Sequence, residues 1–278
     1  MAVIFDGKMF AREKEELIKD QVKKLFKKGI KPKLVSLMIG SNPTSVLYAN
    51  LKKKAAQRVG CNLTIFSFAE SVSKDEIISR IKKFNKEKSI HGIMVQLPLP
   101  ESFSKKSRDE IINTIAKNKD VDGLRDDSLF LAPTVKSVLE VIRKATSYFE
   151  RILPKLEKIP YKVVVVGAKG FEGKKIHRVL KEMGYDVEGI DRNSKNFREK
   201  TIKADILISV TGSPGIIGEK EVRKGGVVID VGSPRGDVRK EEVLGKVGFI
   251  SPVPGGVGPV TISSLLENLV EAAIMGLT

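Results

Sequence analysis

The run Lys162-Val163-Val164-Val165-Val166 leads without a break into Gly167-Ala168-Lys169-Gly170-Phe171-Glu172-Gly173. The valines are β-branched and wholly apolar, as in a strand buried on both faces of a parallel sheet. Helical spacing follows, to about Met183. The glycines stand as G-x-x-G-x-x-G and not as the G-x-G-x-x-G of dinucleotide-binding loops. Strand, glycine loop and helix still bring backbone N–H groups and a helix N-terminus to one point, where a diphosphate would bind. Taken alone, the loop reads either as that cradle or as a tight turn.

Downstream, Asp191 closes the next strand, about 20 residues on, where an acid takes a ribose 2′-hydroxyl. Arg192 beside it and Lys169 in the loop could instead clasp a 2′-phosphate, so the residues leave NAD and NADP both open. Asp205–Val210 with Thr211-Gly212, and Val227–Val231 with Gly232, complete the βαβ repeats. Glycine at a strand end lets backbone approach a cofactor closely. Pro252-Val253-Pro254-Gly255-Gly256-Val257-Gly258-Pro259 is too rich in glycine and proline for a regular element and is expected to be a shaped loop, either a rigid crossover or a cleft wall. A last helix over Thr261–Met275, apolar along Leu265, Leu269 and Ala273, is expected to pack on the first domain.

Upstream, helical spacing covers 8–29, and strands are expected at Lys33–Ile39, Leu63–Phe68 and Gly92–Leu97. Ser73-Lys74-Asp75-Glu76 is a capping box for a helix to Lys86, and another helix covers about Ser104–Ala116. Alternating strands and helices mean an α/β layer with a parallel sheet. A linking helix at 135–150 and a linker at Pro154–Pro160 separate it from the glycine-loop unit. The fold class is therefore α/β in two domains. A three-layer catalytic domain takes 1–134 plus 261–278, and a Rossmann-type doubly wound domain takes 135–260. At 278 residues the chain is long for one core and comfortable for two.

In the first domain, Ser45-Val46-Leu47-Tyr48-Ala49-Asn50-Leu51-Lys52 opens a helix that Asn42 can cap, Pro43 can start and Gly60 can end. Tyr48 and Lys52 stand four apart and share a face. A lysine held half dry beside a hydrogen-bonding neighbour has its pKa drawn toward the working pH. The same pair also suits a solvated, snorkelling face. Gln96 ends the third strand, and Asp122 sits in Lys119-Asp120-Val121-Asp122-Gly123. Ligands of open α/β sheets lie at strand carboxyl ends, and in a doubly wound sheet Lys52, Gln96 and Asp122 would converge on one edge. Singly, Gln96 also reads as a strand-end amide and Asp122 as a turn aspartate.

Composition narrows the class. With 41% hydrophobic and 30% charged residues the chain is globular. Cys61 is the single cysteine, and His91 and His177 are the only histidines, so neither a disulfide nor a bound metal is expected. No apolar run of spanning length and no signal pattern is expected, which makes a cytoplasmic protein without a membrane partner the default. The net charge of +16 admits nucleic acid as a partner. The lysines are scattered and aromatics are only 6%, which argues for small polyanions instead.

The ordered motifs resemble the methylenetetrahydrofolate dehydrogenase/methenyltetrahydrofolate cyclohydrolase family over nearly the full length. They are Asp6-Gly7-Lys8, Tyr48-x-x-x-Lys52, Gly92-Ile93-Met94-Val95-Gln96-Leu97-Pro98-Leu99-Pro100, Lys119–Gly123, Val228-Ile229-Asp230-Val231-Gly232 and Pro252–Thr261. The resemblance implies two domains with a folate cleft between them, and cytoplasmic homodimers. It implies oxidation of 5,10-methylenetetrahydrofolate with NADP, followed by hydrolysis to 10-formyltetrahydrofolate. It makes Lys52 the acid/base, with Gln96 tuning its protonation and Tyr48 packing on the folate. Asp122 would bind the pterin amino-pyrimidine edge. Val95, Leu97, Pro254, Gly255, Gly256, Val257 and Gly258 would line the substrate, a folate that can carry a polyglutamate tail. Gly167, Ala168, Lys169, Gly173, Asp191, Arg192, Thr211, Gly212, Gly232 and Ser233 would hold NADP, favoured here over NAD, without a metal.

The chain departs from the family pattern in places. Lys169 replaces a serine and Lys175 a proline in the glycine loop, Asp191 stands for a histidine, and Ala132-Pro133-Thr134-Val135 keeps only Thr134 of Pro-Cys-Thr-Pro. Lys246 is read as occupying the aspartate position of a Gly-Asp-Val motif. The alternatives are a monofunctional dehydrogenase of the family, a short-chain-type dehydrogenase and a basic nucleic-acid-binding protein. In the short-chain type the Tyr-x-x-x-Lys pair follows the glycine loop, whereas here it precedes it.

Overall fold

The structure, a computed structural model, describes residues 2–152 and 161–276. The expected linker Pro154–Pro160 lies outside the described residues. In chain order the elements are β1 (Val3–Ile4), α1 (Gly7–Lys27), β2 (Lys33–Ile39), α2 (Pro43–Val59), β3 (Asn62–Phe68), α3 (Lys74–Lys86), β4 (Gly92–Val95), α4 (Lys105–Asn113), α5 (Pro133–Ile152), β5 (Lys162–Val166), α6 (Phe171–Glu182), β6 (Asp186–Ile190), α7 (Phe197–Ile202), β7 (Ile206–Ser209), β8 (Val227–Asp230), α8 (Lys240–Val243), β9 (Phe249–Ser251) and α9 (Val257–Met275). They form two compact units, Met1–Phe10 with Thr134–Thr261, and Ala11–Pro133 with Ile262–Thr278.

The second of these units holds a three-stranded parallel sheet in the order β3-β2-β4. Leu34 and Met94 face one side, where they share a core with Ile18, Val22, Ala56, Leu265, Leu266 and Leu269. On the other side Phe66 of β3 meets Phe84 of α3 edge-on, ring centroids 5.6 Å apart. Helices on both faces make three layers. Burying each such leucine or isoleucine contributes roughly 1.5–3 kcal/mol. The expectation that no apolar run reaches spanning length needs correction. By length and composition alone α9 could cross a membrane, but most of it is buried and its apolar side chains fill this core.

The other unit carries a six-stranded sheet, β1-β9-β8-β7-β5-β6, parallel throughout. β5 is flanked by β6 on one side and β7 on the other, so the winding reverses at β5, and the crevice beyond its carboxyl end is the usual ligand position. Residues 1–10 join this unit and not the three-stranded one, because β1 pairs with β9 and the Phe5 amide donates to the Ile250 carbonyl at 2.8 Å.

Two boundaries differ from expectation. β4 ends at Val95, not Leu97, although the Gln96 amide still donates to the Leu37 carbonyl at 2.8 Å. The Pro252–Pro259 segment is a loop only to Gly256, since α9 begins at Val257. Pro259 lies in the first helical turn, where a missing N–H costs nothing, so a proline there does not oppose a helix.

Candidate active site

α2 is set by local signals. The Asn42 side chain accepts from the Ser45 amide at 3.1 Å, Pro43 starts the helix, and Gly60 ends it at φ 84°. Its buried positions are Ser45, Ala49, Ala55, Ala56 and Val59. Tyr48 and Lys52 lie half-buried beside that face. β2 feeds α2, and β4 is the neighbour of β2, so the residue just past β4 comes up against the helix. There Lys52 Nζ donates to Gln96 Oε1 at 3.2 Å. Gln96 Nε2 donates to the Leu97 carbonyl at 3.2 Å, which fixes the amide with its oxygen toward the lysine. Leu97 precedes a cis peptide bond to Pro98.

Asp122 lies in the segment that follows α4, outside any strand. Its neighbour Val121 packs where Gly92 leaves room, at the first residue of β4, whereas Gln96 lies one past the last; a Cβ on Gly92 would come 2.8 Å from Val121 Cγ2. Asp122 is carried by its own loop. Asp120, with no exposed surface, closes that loop by accepting from the Leu124 amide at 3.1 Å and the Arg125 amide at 2.9 Å. Burial pushes the Asp120 carboxyl up to about 6 against those two hydrogen bonds, and the charge of Asp122 adds to the rise. The Asp122 carboxylate is half-buried and has no hydrogen bond or ion pair among the described residues.

In the six-stranded unit, Gly167 has φ 90°, and a Cβ there would lie 2.5 Å from the Val210 carbonyl oxygen. A Cβ on Gly173 would lie 2.1 Å from the Gly167 carbonyl oxygen. Only glycine lets β5, α6 and the end of β7 approach this closely. α6 starts at Gly170 without a side-chain cap, which suits diphosphate oxygens, and Gly212, at φ 63°, has open space where a Cβ would stand. Ala168 packs on Gly189 of β6, a glycine that sequence reasoning passed over. Lys169 Nζ is paired with Asp191 Oδ2 at 3.0 Å, and Arg192 is exposed beside it. The donor set therefore fits a dinucleotide.

Two carboxylates that sequence reasoning missed support these loops. Asp237 Oδ2 accepts from the Thr211 amide at 2.6 Å and from Ser209 Oγ at 2.8 Å. Asp230 accepts from the Gly232 amide at 2.8 Å, the Asp237 amide at 3.0 Å and the Val238 amide at 3.0 Å. Burial, with the charge of Asp237 beside it, raises the Asp230 carboxyl above its ordinary value. Ser233 precedes a cis bond to Pro234. Farther along, Gly255 has φ 99° and its carbonyl accepts from the Gly7 amide at 2.8 Å. A Cβ on Gly7 would meet the Gly256 carbonyl oxygen at 1.9 Å, so the Asp6-Gly7-Lys8 motif holds the Pro254–Gly256 turn.

The model of the tetrahydrofolate dehydrogenase/cyclohydrolase catalytic domain matches residues 5–122, and that of the same family's NAD(P)-binding domain matches residues 151–276. The chain belongs to the tetrahydrofolate dehydrogenase/cyclohydrolase family. It is 37% identical to the bifunctional protein FolD of Bacillus subtilis over 288 residues, with 98% of each chain covered. The crystal structure of bifunctional FolD, a methylenetetrahydrofolate dehydrogenase/cyclohydrolase, from Campylobacter jejuni is similar at a TM-score of 0.89 and 31% identity, covering 99% of both chains. Trypanosoma brucei FolD, solved with NADP cofactor and inhibitor, reaches a TM-score of 0.89 at 27% identity over 99% of this chain and 98% of that one.

Membership makes the chain a two-domain α/β enzyme of tetrahydrofolate one-carbon chemistry, an oxidoreductase and a hydrolase that uses NAD(P). One expected departure from the family is removed. Gly236-Asp237-Val238 carries the Gly-Asp-Val tripeptide intact, and Lys246 is a surface residue whose Nζ donates to the Glu219 carbonyl at 2.7 Å. The signal was available in sequence, because the tripeptide follows Val228–Gly232 by only a few residues. Lys175, in the place of a proline, is buried in α6 with Nζ 4.4 Å from the Phe171 ring centroid.

Proposed function

We propose that the chain oxidises 5,10-methylenetetrahydrofolate to the methenyl form with NADP and then hydrolyses that product to 10-formyltetrahydrofolate. The observation that carries the hydrolytic half is the Lys52–Gln96 hydrogen bond, 3.2 Å long. In the hydrolysis a water oxygen adds to the methenyl carbon while Lys52, as the amine, takes its proton. Lys52 returns that proton to N5 as the carbon–N5 bond opens. The hydroxyl proton leaves as the formyl carbonyl forms on N10, so one water is consumed and one proton released. Gln96 presents only an oxygen to Lys52, which orients the group without adding charge. Retention of this pair argues against a chain confined to dehydrogenation.

Asp122 accepts two parallel N–H bonds from the pterin amino-pyrimidine edge, a match its unengaged carboxylate supports. Tyr48, Val95 and Leu97 pack on the substrate, with Pro254–Gly258 on the folate side. Bound NADP supplies the hydride acceptor. Gly167–Gly173 and the α6 N-terminus hold its diphosphate, while Lys169 and Arg192, two cations against the single charge of Asp191, hold its 2′-phosphate. Thr211, Gly212, Gly232 and Ser233 line the same cofactor. The protein is further proposed to be a cytoplasmic homodimer acting on polyglutamylated folates, with no nucleic-acid or membrane partner. The absorbance change on adding methylenetetrahydrofolate with NADP, then with NAD, tests activity and cofactor together. No reduced cofactor with either would end this reading.

A further inference from the structure

Asn268, in α9, has no exposed surface. Its Nδ2 donates to the Val121 carbonyl at 2.9 Å and to the Leu131 carbonyl at 2.9 Å. The orientation is forced, because the amide oxygen turned that way would face two acceptors. The two carbonyls lie on the two limbs of one loop, and Asp122 directly follows the first of them. The limbs touch, since a Cβ on Gly123, at φ 57°, would come 2.6 Å from the Ala132 nitrogen. Inside the loop Ser128 Oγ donates to the Asp120 carbonyl at 3.0 Å and accepts from the Phe130 amide at 3.2 Å. Asn268 is the tie across the loop that comes from a distant part of the chain.

We infer that Asn268 is a positioning residue for Asp122: its carboxamide clamps both limbs of the 120–132 loop and so sets the direction in which the Asp122 carboxylate meets the pterin edge. The inference rests on the reading of Asp122 as the pterin-binding carboxylate. Bidentate recognition depends on angle as well as distance, and the angle of a short aspartate side chain follows its backbone. Without the two Nδ2 hydrogens, the buried Val121 carbonyl and the part-buried Leu131 carbonyl lose their donor from this side chain, and the backbone before Asp122 is released to find other partners.

A double-mutant cycle on the full chain separates this role from a general one. The readouts are the KM for methylenetetrahydrofolate, the KM for NADP, and kcat, for wild type, Asn268→Ala, Asp122→Ala and the double variant. Asn268→Ala is expected to raise the folate KM about tenfold, leave the NADP KM within about twofold, and add nothing once Asp122 is alanine, as for two residues acting as one unit. Additive effects of the two substitutions, or an equal rise in both KM values, would overturn the inference. If Asp122→Ala alone leaves the folate KM unchanged, the reading of Asp122 fails, and the inference falls with its premise. Should Asn268→Ala not fold, Asn268→Ser, which keeps one donor, runs the same cycle. Failure of both to fold assigns Asn268 to stability and also overturns the proposal.

Discussion

Lys52 Nζ and Gln96 Oε1 are 3.2 Å apart, and the amide that supplies the oxygen is itself held by the Leu97 carbonyl. A neutral acceptor beside a lysine steadies the ammonium less than a carboxylate does. Gln96→Glu would set a carboxylate against Lys52 and should hold it in the ammonium form. Methenyl hydrolysis at pH 7 should slow accordingly, and its pH profile should move to higher pH. A hydrolysis profile that does not move would separate Gln96 from the proton chemistry.

The Lys169–Asp191 ion pair is solvent-exposed on the lysine side, so it contributes little to stability and is free to rearrange around a ribose. Asp191→Ala removes the acceptor for a 2′-hydroxyl and leaves Lys169 and Arg192 for a 2′-phosphate. The NADP/NAD ratio of kcat/KM should rise at least tenfold, about the worth of one hydrogen bond to a charged group. Initial rates with each cofactor check this, and an unchanged ratio places Asp191 away from the ribose.

Asp120 ties its own protonation to folding. Its carboxyl sits at about 6 in the folded chain against 3.8 otherwise, so the folded state holds the proton more tightly. The stability it contributes is full below about pH 4 and is lost as pH rises through about 6, roughly 3 kcal/mol in all as an upper figure. Denaturation of wild type and Asp120→Asn between pH 4 and 7.5 should show wild type losing stability relative to the variant as pH rises. Parallel curves would refute the linkage.

Cys61 is 4% exposed, and burial pushes its thiol up to about 12. A thiol so placed is neither accessible nor ionised at working pH. Ellman's reagent at pH 8 should leave the native protein unlabelled and release one equivalent only on unfolding. Rapid native labelling would contradict the packing around β3.

These same contacts show how far residue patterns reach. β2, β5 and α2 could be placed from sequence because their causes are local: runs of β-branched residues, an asparagine cap, a proline start and a terminal glycine. β1 could not, since a two-residue strand is defined by its partner β9, far along the chain. Residues 1–10 pack with the six-stranded unit for the same reason. The start of α9 was hidden because glycine and proline were counted as loop formers, although a first turn tolerates both. At the candidate site, Lys52 and Gln96 were paired in advance by the family resemblance, since the order β3-β2-β4 that makes their strands neighbours is not legible in the residues. Asp122 could not be placed, because its loop is held by Asn268, whose side chain gives no sign in sequence of where its hydrogens go. Asp230 and Asp237 were passed over for a similar reason, since they hold loop amides and, for Asp237, the Ser209 hydroxyl, partners that the residue pattern does not reveal.

The central claim is that one lysine carries the hydrolysis, and the Lys52→Met variant tests it most directly. Its rate of methenyltetrahydrofolate hydrolysis should be read beside NADP binding and thermal unfolding of the same preparation. The expected result is a loss of at least about a hundredfold in hydrolysis, the usual contribution of a positioned acid/base, with cofactor affinity and melting temperature unchanged. Hydrolysis at the wild-type rate in that folded, NADP-binding variant would contradict it.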